Sequence, residues 1–327
     1  MQVGFWYWVG FNAFILAMLA LDLGVFHRTA HAVKVREATL WTCVWITLAL
    51  LFCLWIYQRA GRELALQFLT GYLIEESLSI DNVFVMVMIF SFFGVPARYQ
   101  HRVLFWGILG ALVMRGTFIG VGTYILHAWH PVIYVFGALL VVTGIRLVFK
   151  HEETPDLNSN VIVRLTRRIV HITPKYHGQH FTVVEAGRRV ATPLLLVLVM
   201  IEASDVIFAL DSIPAIFAIT DDPFIVYTSN VFAVLGLRSM YFMLGDVVHR
   251  FVYIKYGLAA VLVFIGTKML IADLYKMPVL TSLAFVAGAI SLSIVASIVH
   301  SRATAPPAPE EIAAQPVMQL WRRTGTD

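Results

Sequence analysis

The sequence predicts an all-α, polytopic membrane protein with an inverted three-helix repeat, and three observations lead to this fold class. The 327 residues are 59% hydrophobic and 13% charged, and their mean hydropathy is +0.79, well above the range of soluble globular domains. Apolar stretches of about 20 residues, the length that crosses a hydrocarbon core, recur along the chain. Acidic residues recur at matching positions inside two of these stretches.

Nine stretches have the length and apolarity of a transmembrane helix, and none alternates like a barrel strand. Backbone groups in lipid must be paired within their own segment, so each stretch is predicted to be helical. The predicted spans are 6–26, 39–57, 66–94, 103–125, 131–149, 192–217, 224–245, 256–275 and 278–299. The first of them follows "MQVGFWYW", which lacks the basic region of a cleavable signal, so we expect this span to be retained.

Lysine and arginine positions predict the orientation of the chain. Of the 24 basic residues, 17 lie in the odd-numbered loops or the C-terminal tail, and three lie in the even-numbered loops. The positive-inside rule therefore places the odd loops and the C-terminus in the cytoplasm and the N-terminus outside. Because these loop residues explain the net charge of +4 and no basic stripe carries aromatic residues, nucleic acid is excluded as a partner.

The long loop between the fifth and sixth spans contains "NVIVRLTRRIVHIT", which predicts an amphipathic helix on the inner leaflet. Its histidines match no standard metal-site spacing.

Cys43 and Cys53 lie in one apolar stretch, where we expect them to pack as small hydrophobic side chains and not to form a disulfide or a metal site. The tail is rich in Pro, Ala and Glu, and we expect it to be disordered. The predicted segments are a two-helix unit (1–65), a first repeat (66–150), the loop (151–191), a second repeat (192–276), a ninth helix (277–301) and the tail (302–327).

Two apolar stretches carry unexpected charge, "IEESLSIDNVFV" at 74–85 and "IEASDVIFALDSIP" at 201–214. Each stretch contains an acid, then five intervening residues, then an aspartate with a short polar neighbour. After each stretch come two predicted helices, and each of these helices carries one base that has a match in the other repeat. The matched pairs are Glu75 and Asp205, Asp81 and Asp211, Asn82 and Ser212, Arg115 and Arg238, and Arg146 and Lys268. Spans three to five therefore match spans six to eight, and they cross the membrane in opposite directions. Inverted repeats of this kind build secondary transporters whose substrate site lies near the midplane.

A six-residue spacing turns a side chain through about 240° on an unbroken helix, so Glu75 and Asp81 would not face one point. We therefore expect some unwinding in these helices. In the second repeat Pro214 cannot donate a backbone hydrogen bond, which would free the carbonyl of Leu210 as a further oxygen ligand.

The two stretches contain six acids, and the predicted spans contain four bases. Placing a carboxylate inside a membrane costs a few kcal/mol of free energy. The bases Arg115, Arg146, Arg238 and Lys268 are predicted to balance part of the acidic charge. Six acids and four bases leave two negative charges, which a divalent cation would neutralise. Asp22, near the inner end of span one, would alter this count. The alternatives to a cation site are structural ion pairs and a proton relay.

The ligands available are oxygens from the carboxylates, Asn82, Ser212 and Asn230, which suit hard cations such as Mg²⁺, Ca²⁺ and Mn²⁺. Met200 offers a softer thioether, but methionine in a membrane helix usually serves packing.

Three stretches, "GYLIEESLSIDNVFVMVMIF", "ATPLLLVLVMIEASDVIFALDSIPAIFAIT" and "YGLAAVLVFIGTKMLIADLY", resemble the TerC family of integral membrane proteins, and its Alx branch in particular. The resemblance implies a nine-helix transporter of the LysE-type superfamily in a bacterial inner membrane, with manganese as the exported ion and neither an enzymatic activity nor a cofactor. The metal ligands it implies are Glu75, Asp81, Asn82, Glu202, Asp205 and Asp211.

The family is also linked to tellurium resistance, but an oxyanion would be repelled by a site lined with carboxylates. The alternative function is therefore a stress-resistance component or redox modulator whose buried charges are structural. Protein partners are not predicted by the sequence.

Overall fold

The computed structural model describes residues 4–21, 35–129, 131–149, 161–170, 172–173, 176–185, 187–244, 253–275 and 277–303. Within these ranges the chain forms helices at every predicted span, one short extra helix and one hairpin. The elements are α1 Phe5–Leu21, α2 Val35–Ala60, α3 Arg62–Phe92, α4 Ala97–Ala128, α5 Val132–Phe149, α6 Val161–Ile169, β1 Thr182–Glu185, β2 Arg188–Ala191, α7 Pro193–Phe217, α8 Pro223–Leu244, α9 Ile254–Leu270 and α10 Val279–Ala303. Asp22, His171 and the tail beyond residue 303 lie outside the described residues.

Five of the described helices are long and apolar enough to cross a membrane, which makes the chain a multi-pass membrane protein. They are α2, α4, α5, α7 and α10, and α1 is a shorter apolar helix. Two further helices, α3 with 31 residues and α8 with 22, have the length of a span, and in α3 the acids Glu63, Glu75, Glu76 and Asp81 reduce the apolarity. Glu63 is exposed at the start of α3, whereas Glu75, Glu76 and Asp81 are buried or half-buried among the neighbouring helices.

Helices α3, α7 and α8 lie at the centre of the bundle, and α8 is buried along most of its length. Helix α3 packs on α7 and α8, α4 packs on α7 and α8, and α5 packs on α9. Helices α1 and α2 cover α8 through an aromatic cluster, in which Trp8 meets Phe224 edge to face. The hydroxyl of Tyr227 on α8 donates to Asn12 on α1 at 2.7 Å. This arrangement removes the acidic faces of α3 and α7 from the bundle surface.

Helices α3 and α7 are continuous, so the expected unwinding is not observed. Pro214 lies inside α7, but the helix ends only three residues later at Phe217. The amide of Ala218 still donates to the carbonyl of Pro214 at 3.1 Å, so the last turn is retained. On continuous helices, acids six residues apart keep different directions.

The loop before α7 contains a hairpin that the all-α prediction missed. Strands β1 and β2 pair antiparallel, with Val183 opposite Val190, and Gly187 in the connection has a φ of 76°. Tyr176 donates to the carbonyl of Phe93 at 2.6 Å, which ties the loop to the end of α3. The predicted loop helix is present as α6, and its Val163 is buried against the α7 region of the core.

The tightest helix crossing joins α5 to α9 through small residues. A methyl group on Gly266 would come within 2.6 Å of the carbonyl oxygen of Gly137, and one on Gly144 would come within 2.9 Å of the carbonyl oxygen of Ala259. Small residues permit this approach of two backbones in a membrane. We expect Gly266→Ala to lower stability by about 1 to 3 kcal/mol, as overpacking does.

The measurement is thermal unfolding of the purified protein in detergent. Gly120→Ala on α4 is the matched control, because a methyl group there meets nothing within 4 Å. Equal unfolding temperatures for the two variants would show that the α5–α9 crossing is not tight.

Candidate cation site

An arginine at the centre of the bundle connects two carboxylates from different halves of the chain. Arg115 on α4 is 1% exposed, and its Nε and Nη2 donate to both oxygens of Asp205 on α7 at 3.0 and 2.7 Å. Its Nη1 donates to Oε1 of Glu75 on α3 and to Oδ1 of Asn230 on α8, the latter at 3.2 Å. We call Glu75, Arg115, Asp205 and Asn230 the arginine bridge. It joins α3, α4, α7 and α8.

The bridge is almost fully removed from solvent, since Glu75 is 0% exposed and Asp205 is 5% exposed. The planar guanidinium pairs with Asp205 through two parallel hydrogen bonds, the strongest arrangement available to an arginine and a carboxylate. Removing Arg115 would leave two buried carboxylates without a compensating positive charge. With both acids ionised, the bridge carries one excess negative charge.

A small cavity lies beside the bridge, on the side where α3 ends and α4 and α7 begin. Its polar lining consists of Glu202, Asp205 and the buried Arg238, and its apolar lining includes Met86 and Ala111. The space is about 10 Å³, which is room for roughly one water molecule. The cavity therefore suits a single ligand of about the size of a water molecule.

Seven buried side-chain oxygen atoms on α3 and α7 have no hydrogen-bond partner among the described residues. They are Oε1 of Gln67, Oε2 of Glu75, Oε2 of Glu76, Oγ of Ser79, Oδ1 of Asn82, Oε2 of Glu202 and Oγ of Ser212. A buried polar atom is normally paired, so a group of unpaired ones requires an explanation such as an ion or ordered water. Carboxylate, amide and hydroxyl oxygens are the donors that hard cations prefer.

The structure separates the two remaining acids from the bridge. Asp81 follows Glu75 by six residues on the continuous helix α3 and is half-buried. Asp211 on α7 is also half-buried and accepts a hydrogen bond from Thr143 on α5 at 3.1 Å. The predicted ligand set is therefore not gathered at one point in this conformation. Because helix rotation directs Asp81 and Asp211 elsewhere, the bridge contains the matched pair Glu75 and Asp205 and not the matched pair Asp81 and Asp211.

The four predicted balancing bases have different environments. Arg115 forms the bridge and Arg238 lines the adjacent cavity, whereas Arg146 is exposed on α5. Lys268 is half-buried, and its Nζ donates to Ser282 on α10 at 3.1 Å. Met200 is buried in an apolar cluster, which is a packing environment.

No group of three or more His, Cys, Asp or Glu side chains in the described part of the chain is arranged to hold a metal ion. The two central acids are held by Arg115 instead. A cation that used them would have to displace the guanidinium.

Two residues that shape the site were not identified from the sequence. Gly110 on α4 is one, because a methyl group there would overlap the carboxylate of Glu202 on α7. Gly107 lies three residues earlier and contacts Ile201, and this glycine spacing on one helix face is a signal of close packing. Thr143, the donor to Asp211, is the other, and no pattern in the sequence marked it.

The two cysteines occupy positions that exclude a disulfide between them. Cys43 and Cys53 are both on the continuous helix α2, ten residues apart, which corresponds to about 15 Å of helix rise. A disulfide requires Cα atoms roughly 4.4 to 6.8 Å apart. Any redox role of this chain therefore cannot use an intramolecular disulfide of this pair.

Residues 60–305 match the model of the integral membrane protein TerC family. An uncharacterised membrane protein of Myxococcus xanthus is 56% identical over 295 residues, which cover 90% of this chain and 92% of the relative. Alx of Escherichia coli strain K12, whose name proposes a membrane-bound redox modulator, is 48% identical over 297 residues, covering 88% of this chain and 92% of the relative. No solved structure has a significant match.

Proposed function

The chain belongs to the TerC family of integral membrane proteins, and we propose that it is a metal cation transporter that exports Mn²⁺ through the centre of its helix bundle. The arginine bridge and the buried, unpaired oxygen atoms of α3 and α7 are the proposed site. Transport by alternating access would expose this site to one side of the membrane at a time.

One observation carries the proposal, namely that the central helices α3 and α7 bear, besides the two carboxylates of the bridge, buried oxygen atoms with no hydrogen-bond partner among the described residues. These oxygens belong to carboxylates, an amide and hydroxyls, which fit Mn²⁺, Mg²⁺ or Ca²⁺ better than the softer ions that favour histidine and cysteine. Among the hard cations, the resemblance to the TerC family favours Mn²⁺.

The α5–α9 crossing supports the inverted repeat on which alternating access depends. The sequence match of Arg146 with Lys268 also matches Gly144 with Gly266 and Gly137 with Ala259. The close contact of Gly144 with Ala259 then corresponds to that of Gly266 with Gly137. In the same way, the packing of α3 on α8 corresponds to that of α4 on α7. A twofold relation between the halves explains both correspondences.

The proposed direction of export depends on the predicted orientation. We expect reporter tags inserted after residue 165 and at the C-terminus to report the cytoplasm, and a tag beside Asp221 to report the outside, because basic residues concentrate in the odd-numbered loops. The measurement is paired alkaline phosphatase and fluorescent protein fusions. An external signal from the loop at 151–191 would reverse the assigned orientation.

A membrane stress-resistance component is the second candidate function. The name of the Escherichia coli relative favours it, as does the arginine bridge, which can be read as a structural ion pair. In that case the central charges would hold the helices together without binding a substrate.

Cellular manganese content distinguishes the two functions. Cells that lack other Mn²⁺ exporters are challenged with Mn²⁺, with and without this protein, and their metal content is measured by mass spectrometry. Export predicts lower manganese in cells that contain the protein. Equal manganese contents at confirmed membrane expression would contradict export and favour the structural function.

A further inference from the structure

In the part of the chain that the structure describes, the hydrogen bonds of Arg115 go to oxygen atoms of three helices other than its own. Glu75 and Asp205 supply carboxylate oxygens, and Asn230 supplies an amide oxygen. This set resembles the oxygen shell of a hard cation more than the single carboxylate of an ordinary arginine ion pair. The guanidinium thus lies where the site's oxygens converge.

Charge favours an exchange between this guanidinium and a divalent cation. Arg115 brings one positive charge to two carboxylates, whereas a divalent ion would bring two and neutralise both Glu75 and Asp205. Replacing the guanidinium by an ion also costs less free energy than moving the guanidinium away with no ion bound. In a direct replacement, neither carboxylate is left buried without a positive partner during the cycle.

The cavity beside the bridge marks the direction in which the displaced guanidinium would move, and its lining side chains would have to shift to admit the group, because the space holds about one water molecule. Ala111 lines this cavity and lies one turn before Arg115 on α4, and helical side chains point back toward the preceding turn. Glu202 lines the same cavity and has a buried oxygen without a hydrogen-bond partner in the described residues. Asp205 borders both places, so the guanidinium can move without a long path.

On the basis of the proposed function, we propose that Arg115 is a tethered competitor of the transported cation. It occupies the Glu75–Asp205 pair when no ion is bound, and the arriving divalent ion displaces it toward Glu202. When the ion leaves, Arg115 returns. The competition weakens cation binding, which permits release, and Arg115 supplies the positive partner of the two carboxylates while no ion is bound.

The test is Mn²⁺-dependent thermal stabilisation of the full-length purified protein, titrated from a metal-free state in chelator. Lysine keeps the positive charge but cannot form the two parallel hydrogen bonds, so Arg115→Lys should bind Mn²⁺ about tenfold or more tightly than the wild type. Arg115→Gln should be less stable than the wild type in chelator and should regain stability with Mn²⁺. Arg146→Gln, at an exposed arginine, is the control and should behave as the wild type does.

A purely structural arginine predicts a different pattern. Arg115→Lys would then bind Mn²⁺ no more tightly than the wild type, and the stability lost in Arg115→Gln would not return with Mn²⁺. Either result, with a wild type that does bind Mn²⁺, overturns the competitor role and leaves the proposed function standing. If neither the wild type nor any variant responds to Mn²⁺, the proposed function itself fails.

Discussion

Replacing Glu75 with glutamine, or Asp205 with asparagine, should abolish Mn²⁺ export while leaving the protein in the membrane. Each substitution keeps the size of the side chain and one oxygen but removes a charge that a divalent cation requires. We expect the rate of Mn²⁺ efflux to fall by about tenfold or more, which corresponds to the loss of about 1.4 kcal/mol of binding or transition-state stabilisation. The measurement is manganese retained by an exporter-deficient host at matched membrane abundance.

Two exposed acids provide matched controls for these variants. Glu63 lies on the same helix as Glu75, and Asp221 follows the helix of Asp205, so Glu63→Gln and Asp221→Asn should export normally. Asp211→Asn is the informative third variant, because its amide oxygen can still accept the hydrogen bond from Thr143. Loss of export in that variant would place Asp211 on the ion path, as the repeat predicts. Normal export by Glu75→Gln would contradict the proposed site.

Removing the bridging arginine should have the largest effect on stability. Without divalent cations, Arg115→Met leaves Glu75 and Asp205 buried with no guanidinium between them, and breaking a buried ion pair in this way costs about 3 to 5 kcal/mol. The triple variant Arg115→Met, Glu75→Gln, Asp205→Asn replaces the whole charged group by neutral side chains and should recover most of that stability. It should nevertheless export no Mn²⁺.

Thermal unfolding in detergent with chelator, together with membrane abundance, measures this effect. Arg146→Met, at an exposed arginine, should change stability by no more than about 0.5 kcal/mol. A stable Arg115→Met variant would mean that the ion pair contributes little to the fold. A triple variant that stays as unstable as Arg115→Met would mean that the arginine acts through packing and not through charge.

Helix positions were the most predictable feature of this chain, because apolar length alone defines a membrane helix. The fifth span was predicted at 131–149 and is Val132–Phe149, and the sixth was predicted at 192–217 and is Pro193–Phe217, where proline at the first turn marks the start. The eighth span was predicted to continue to residue 275 but ends at Leu270. Turns follow at 271–274, so apolar composition overestimated its length.

Local features with weaker signals were missed. The hairpin at 182–191 has β-branched residues on both strands and Gly187 in a left-handed conformation, a pattern that is detectable but was outweighed by the basic helix in the same loop. The expected unwinding at Pro214 did not occur, because a proline three residues before a helix ends breaks little of the helix.

The acids and Arg115 could be identified from the sequence, but their partners could not. Alignment of the repeats assigned one arginine to each half, whereas Arg115 donates to Glu75 of its own half and Asp205 of the other. That pairing depends on how closely α4 approaches α7, which Gly107 and Gly110 permit. Spacing along one helix carries no information about such distances between helices.

Mn²⁺ flux into liposomes that contain the purified protein tests the central claim most directly, because it requires no other cellular component. We expect Mn²⁺ uptake by vesicles with the wild-type protein, and uptake at the level of protein-free vesicles for the double variant Glu75→Gln, Asp205→Asn. Equal uptake by the wild type and the double variant would contradict the claim that these two buried carboxylates carry the ion across the membrane.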